Sequence, residues 1–274
     1  MTNGIDALTM MEPTPIIRRT PLPQDEFIIR LFYNIDEEMG PVKKYADELL
    51  YASEVVTLMI LFAIKGGTFR AFYRWVKYNH QTSFPKLPEV SRLSRLFLNH
   101  QAWCLEFLAN PSLLGIIDTY GMELIHPRRE GRSELQIGRK GKSNGRWIVG
   151  IKVAWLINHR GEIIEWGWAP AHVPDNAFRE MATDYRDEMV VFSDSSFHKN
   201  DCDPQNMRYC ARGAWNDRYL IEDILGRISE VFHSKKVFHR SIQGIHMRIG
   251  AIAAALNMLL KMNDYDPSMT WFAL

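Results

Sequence analysis

Three acidic residues stand in three different local settings. Asp118 closes the apolar run LLGIID (113–118), and Asp194 closes a second one, MVVFSD (189–194). Glu222 lies inside the amphipathic stretch DRYLIEDILGRISEVF (217–232). Two carboxylates at strand ends and one on a later helix are a set that can hold metal ions beside a phosphodiester. Mg²⁺ takes oxygen ligands, binds through a few carboxylates and leaves the rest of its shell to water and phosphate. Two such ions activate an attacking oxygen and steady a leaving one. Three carboxylates this close repel and raise one another's pKa, and a divalent cation removes that penalty. The chain holds 32 Asp and Glu in all, so some end strands or sit on helices by chance.

Those segments resemble a known pattern. IIDTYGMEL (116–124), VVFSDSSFH (190–198) and WNDRYLIED (215–223) are similar to the three acidic motifs of DDE transposases from bacterial insertion sequences. The last is similar to that family's spaced Tyr, Arg, Glu, Lys signature. It supplies Arg218 and Glu222, but has Trp215 in place of Tyr and Ser229 in place of Lys. Residues 53–95 resemble the N-terminal helical region of one compact subgroup, and KKVFHRSIQGIHMRIGAIAAALNMLL (235–260) resembles its closing segment.

The resemblance implies an α/β fold: an RNase H-like mixed sheet flanked by helices, preceded by an N-terminal helical domain. The first two acids would then sit on neighbouring strands, and the third on a helix against the sheet. It implies two Mg²⁺ ions, with Mn²⁺ tolerated. Asp118 would bridge both ions, Asp194 would hold one and Glu222 the other. Arg218 would grip a DNA-end phosphate through its planar fork. The implied partners are double-stranded DNA, as terminal inverted repeats and as target, and a second copy of the chain on that DNA. A catalytically silent DNA-binding or assembly protein derived from such an enzyme is the alternative, and a nuclease that cuts without joining is a third.

At residue level some choices stay open. Asp223 and Glu230 compete with Glu222 as acids. Arg218 and Glu222, four apart, also suit a plain helix-surface ion pair. Trp215 suits stacking on a displaced base or simple packing. The run RREGRSELQIGRKGKSNGR (128–146) places Arg128, Arg129, Arg132, Arg139, Lys140, Lys142 and Arg146 directly after the first acidic motif, opposed only by Glu130 and Glu134. It reads as a basic loop that contacts phosphates, with the steep salt dependence that counterion release brings. Lys235, Lys236, His239 and Arg240 form a further cationic segment, able to replace the absent Lys at Ser229. His198, Cys202 and Cys210 fit no common zinc-ligand spacing, and there is no Gly-rich phosphate loop of nucleotide-binding type.

The elements that must carry these groups follow from pattern. Residues 1–24, with Pro13, Pro15, Pro21 and Pro23, read as an extended, mobile arm. Residues 25–110 read as a helical domain for DNA binding or dimerisation, in which Phe69, Phe72, Tyr73 and Val76 share one face. Gly66-Gly67 marks a helix end, and a new helix begins near Glu89. Residues 111–274 form the α/β part. Strands are expected at 113–118, 146–157, 162–169, 189–194 and 207–212. Asp175 is expected to cap a helix over 176–186, and Ile245, Ile249, Ile252, Leu256 and Leu259 to form the stripe of a last helix. With 46% hydrophobic residues the chain can bury a core. Its net charge of +1 argues against a uniformly cationic DNA-coating protein. The apolar run VVTLMILFAI (55–64) is half of a membrane span. The N-terminus has no signal-peptide pattern, so a cytoplasmic, nucleoid-associated protein without membrane contact is expected.

Overall fold

The computed structural model describes residues 21–46, 48–143, 145–199, 202–210, 218–272 and 274. The arm over 1–24 lies outside them except for its last four residues. There Leu22 bridges Phe272 in parallel, and its N–H donates to Trp271 O at 2.8 Å.

Four helices come first: α1 (Gln24–Met39), α2 (Ala52–Lys65), α3 (Phe69–Asn79) and α4 (Val90–His100). Helix α2 is apolar on nearly every face, which is the composition of a helix surrounded by protein. Its residues from Val55 to Ile64 are all buried. Glu54 accepts the Tyr51 N–H at 2.7 Å at its start. Gly66 ends it at φ +69°, and a Cβ there would come within 2.7 Å of His233, so both torsion and space require glycine. In α3, Thr68 accepts the Ala71 N–H, and the expected apolar face buries Phe72 and Val76.

The sheet has six strands: β1 (Leu114–Ile125), β2 (Arg139–Ser143), β3 (Arg146–Asn158), β4 (Ile163–Pro170), β5 (Val190–Ser193) and β6 (Met207–Tyr209). Strand β3 is its spine. Antiparallel β1 covers one edge of β3, while β2 and β4 lie end to end along the other. Strand β5 joins the outer edge of β1 in parallel at Leu114–Ile116, and β6 joins β5, also in parallel. Farther along that outer edge, Glu123 pairs with the chain at Lys235–Val237. Between these two pairings the edge has no strand partner among the described residues.

Two expectations change here. The first strand runs on to Ile125 instead of stopping at Asp118, and part of the basic run is strand β2 instead of loop. Strand pairing outweighs composition in both. The packing is close: a Cβ on Gly141 of β2 would meet Ala171 O at 2.1 Å.

Alternation along the strands gives each sheet face its own core. Ile116, Met122, Val153 and Trp155 face the helical layer and share one core with α1–α4, α6 (Arg218–Glu230) and α7 (Ile242–Met262). Residues 25–110 and 111–274 therefore meet in continuous apolar packing. On the other face Ile117, Ala154 and Leu156 pack with Phe178, Met181, Met189 and Phe197. The helix expected over 176–186 is a 3₁₀ turn, Asp175–Phe178, followed by the short α5 (Glu180–Thr183). The cap position of that turn is Pro174, and Asp175 is its first residue.

Helix α7 is long and apolar enough to cross a membrane, but it runs through the protein. The expected stripe is buried, and so are Ala251, Ala253, Ala254 and Ala255 on its other sides. Two polar residues fasten it. Asn257 accepts the Ile163 N–H at 2.7 Å and donates to Phe107 O and Ile163 O. Arg248 donates to Phe62 O at 2.6 Å, Ala63 O at 3.2 Å and Phe232 O at 3.0 Å.

Replacing Arg248 with Met takes the guanidinium away from those three carbonyls, of which Phe62 O keeps the Gly66 N–H, and lowers stability by about 3 kcal/mol. Urea unfolding followed by circular dichroism measures the loss. A change within about 0.5 kcal/mol, the range of an ordinary surface substitution, would show that water replaces the guanidinium.

Candidate active site

The gap in the outer edge of β1 opens into a cleft of about 730 Å³. Asp118, Asp194 and Glu222, far apart in sequence, all line it. Asp118 comes from the middle of β1. Asp194 follows β5, the parallel neighbour of β1. Glu222 comes from α6, which packs on β1. The apolar positions Ile221, Ile224, Leu225 and Ile228 of α6 are buried, which turns Glu222 outward.

Local bonds orient the two aspartates. Asp118 Oδ1 accepts the Thr119 N–H at 2.7 Å. Asp194 Oδ1 accepts the Ser196 N–H at 2.9 Å and the Ser196 hydroxyl. Of the competing acids, Asp223 is engaged by Arg227, Nε to Oδ2 at 2.9 Å, and does not line the cleft. Glu230, two turns beyond Glu222, does line it. Among the described residues no three acidic, His or Cys side chains close into a preformed metal cage. The carboxylates share a cleft at wider spacing.

A fourth carboxylate was not legible as part of this site. Asp175 Oδ1 accepts the Thr119 hydroxyl at 2.7 Å and lies 2.8 Å from Lys152 Nζ. Lys152 also donates to Val173 O at 2.9 Å. Burial pushes the Asp175 carboxyl up. Bonds from Lys152 and Thr119, the Lys152 charge and a bond from Ser196 outweigh it and hold the group below the usual carboxylate range. Asp175 thus reaches both acid-bearing segments, through Thr119 beside Asp118 and Ser196 beyond Asp194. Sequence pattern favours an Asp before a helix as a cap, and nothing local to it signals a partner on β1.

Ser229 is buried on the cleft wall and hydrogen-bonded to Tyr120. Burial raises the Tyr120 pKa, against the opposing pull of that bond and of the Arg146 charge.

The expected cations divide. Lys142, Arg146 and Lys235 line the cleft. Arg129, Arg132 and Arg240 line a separate groove at the far end of β1. Arg128 and Arg139 are exposed and line neither. Lys140 sits 5.5 Å over the Trp147 ring, and Lys236 is paired with Glu123 at 3.0 Å. Trp215 and the Arg218 side chain lie outside what is described. His198 Nδ1 is bound to Asp203 at 2.6 Å and belongs to no metal-holding group among the described residues.

Hard oxygen donors in a polar cleft with cations around them suit a divalent cation and a phosphate together. Comparison with protein-family models, with curated proteins and with solved structures finds no match.

Asp175→Asn is expected to cost about 1–3 kcal/mol at pH 7, because it weakens the Lys152 and Thr119 bonds. A depressed carboxyl stabilises the fold above its unfolded pKa, near 3.8. That contribution is lost as pH falls through the lower folded value. The gap between wild type and variant should therefore be flat above about pH 4 and close below it. Unfolding curves from pH 7 to pH 2 test this, and a gap that persists at the lowest pH would refute it.

Proposed function

We propose that this protein is a metal-dependent DNA transposase, and that its mixed sheet is RNase H-like. The observation that carries the reading is the meeting of Asp118, Asp194 and Glu222 in one polar cleft. Neighbouring parallel strands supply two of them and a helix against the sheet supplies the third, the arrangement that the motif resemblance implies.

Asp118, Asp194 and Glu222 would hold two Mg²⁺ ions, or Mn²⁺. When bound, the ions would activate the attacking oxygen and stabilise the leaving one. The chain's own residues do the rest. Lys142, Arg146 and Lys235 draw the phosphate backbone into the cleft. Thr119, Ser196 and Asp175 hold the two strand-borne acids in place. Lys152 neutralises Asp175, so the fourth carboxylate adds no net repulsion. Attack by water on a phosphodiester breaks the P–O3′ bond and leaves a 3′-hydroxyl and a 5′-phosphate. The 3′-hydroxyl then attacks a target phosphodiester, and one P–O3′ bond replaces another.

The substrates would be the terminal inverted repeats of a mobile element and then target DNA. Two ends are handled together, so a homodimer on DNA, in the cytoplasm at the nucleoid, is the working form. Ser229 gives no cationic clamp where the family pattern has Lys. Lys235 lines the same cleft and takes that part.

The test is cleavage of labelled duplex carrying the repeats that flank the coding region, with Mg²⁺, Mn²⁺ or EDTA. Asp118→Asn, Asp194→Asn and Glu222→Gln should each lose more than about a hundredfold in rate, beyond what the loss of a supporting residue costs a metal site, while binding DNA normally. DNA that is bound but never cut would identify a silent assembly protein. Cutting without joined products would identify a nuclease.

A further inference from the structure

The groove at the far end of β1 has a volume of about 550 Å³. Leu124, Leu135 and Ile137 give it an apolar lining, and Leu135 is 87% exposed. Arg129, Arg132 and Arg240 stand around it, all exposed. Among the described residues none of these three guanidiniums makes an ion pair or a side-chain hydrogen bond. Burial, with the nearby Arg248 charge, lowers the His239 pKa to about 4, so the groove's charge at neutral pH comes from the arginines.

The groove lies beyond the cleft along the same chain segments. Three stretches of chain run from one to the other: Gly121 to Leu124 on β1, Lys142 to Gly138 at β2, and Lys235 to His239 after α6. A ligand that satisfies all of these cations must be a polyanion longer than either site. From Asp118 to Leu124 is six residues of extended strand, about 20 Å at roughly 3.3 Å per residue. Duplex DNA advances about 3.4 Å per base pair, so that distance spans about six base pairs.

We propose that this groove is a second holding point for the same DNA, gripping its backbone about six base pairs from the phosphate at the carboxylates. The three guanidiniums take phosphates, and the Leu and Ile side chains pack against the sugars. A short acidic peptide also suits three arginines, but it would leave the cleft's own cations unused. This inference rests on the transposase reading, and the experiment separates the two.

A fluorescein-labelled random 20-base-pair duplex is titrated at several salt concentrations with wild type and with an Arg129→Ala/Arg132→Ala/Arg240→Ala variant. A Lys86→Ala/Arg186→Ala/Lys199→Ala variant, changed at exposed positions outside cleft and groove, controls for the reduced positive charge. The salt slope should fall by about 2–3 in the groove variant, at about 0.9 for each phosphate no longer neutralised, and by less than about 1 in the control. Equal slopes for wild type and groove variant overturn the second holding point, and if the repeat DNA is still cut, the function stands. Equal slopes together with loss of binding to a Glu/Leu peptide assign the groove to a protein partner. A wild type that neither binds the random duplex nor cuts repeat DNA overturns both readings.

Discussion

The buried guanidinium of Arg248 is the tie on which the layered structure depends. A charge taken out of water is tolerated only when its donors are met. Here carbonyls of α2 and of the chain just beyond α6 take three bonds from it. Phe62 and Ala63 belong to the last turn of α2, where the negative end of the helix dipole favours a cation. Phe232 lies just beyond α6. One side chain on α7 therefore ties the end of α2 to the chain that leaves α6. The Phe62 ring, 4.8 Å from the guanidinium, closes the site from the side. Asn257, about two and a half turns along α7, fixes β4 in the same way.

The position of Glu222 follows from that arrangement. Helix α6 is held at its C-terminal end by the Arg248 bond and along its length by Ile221, Ile224 and Ile228 against the sheet. The chain after it returns to β1 and pairs at Glu123. That pairing closes one end of the open stretch of β1, and β5 closes the other. A strand edge without a partner ordinarily invites unwanted association. Here α6 stands over it, and Asp118 takes the Thr119 N–H with its own carboxylate. The gap that exposes the acids also limits the access of another strand.

Much of this was legible in the sequence because it depends on local pattern. Apolar runs ending in Asp118 and Asp194 are strand signals, and the spacing of Ile221, Ile224, Leu225 and Ile228 sets the outward face of α6. Gly66 marks a helix end by its own chemistry. What escaped depends on partners distant in the chain. Strand β2 sits in a run whose charge reads as loop, and only pairing with β3 makes it a strand. Asp175 reads as a cap from its neighbours, yet it is held by Lys152 and Thr119 across the sheet. Helix α7 reads as one-sided from its isoleucines and leucines. The alanines on its other faces admit close neighbours, which makes it central.

The cleft's charge balance follows from the same geometry. Asp118, Asp175, Asp194, Glu222 and Glu230 face Lys142, Arg146, Lys152 and Lys235. Lys152 is bound to Asp175, and that pair holds the two aspartate-bearing segments together. Lys142, Arg146 and Lys235 line the same cleft beside the acids. Their chemistry suits phosphate, as that of the acids suits a divalent cation, so an anionic backbone and a metal would satisfy complementary parts of one site. Neither set alone accounts for the mixed composition of the cleft: carboxylates by themselves would repel an anion, and the cations by themselves would repel a metal ion.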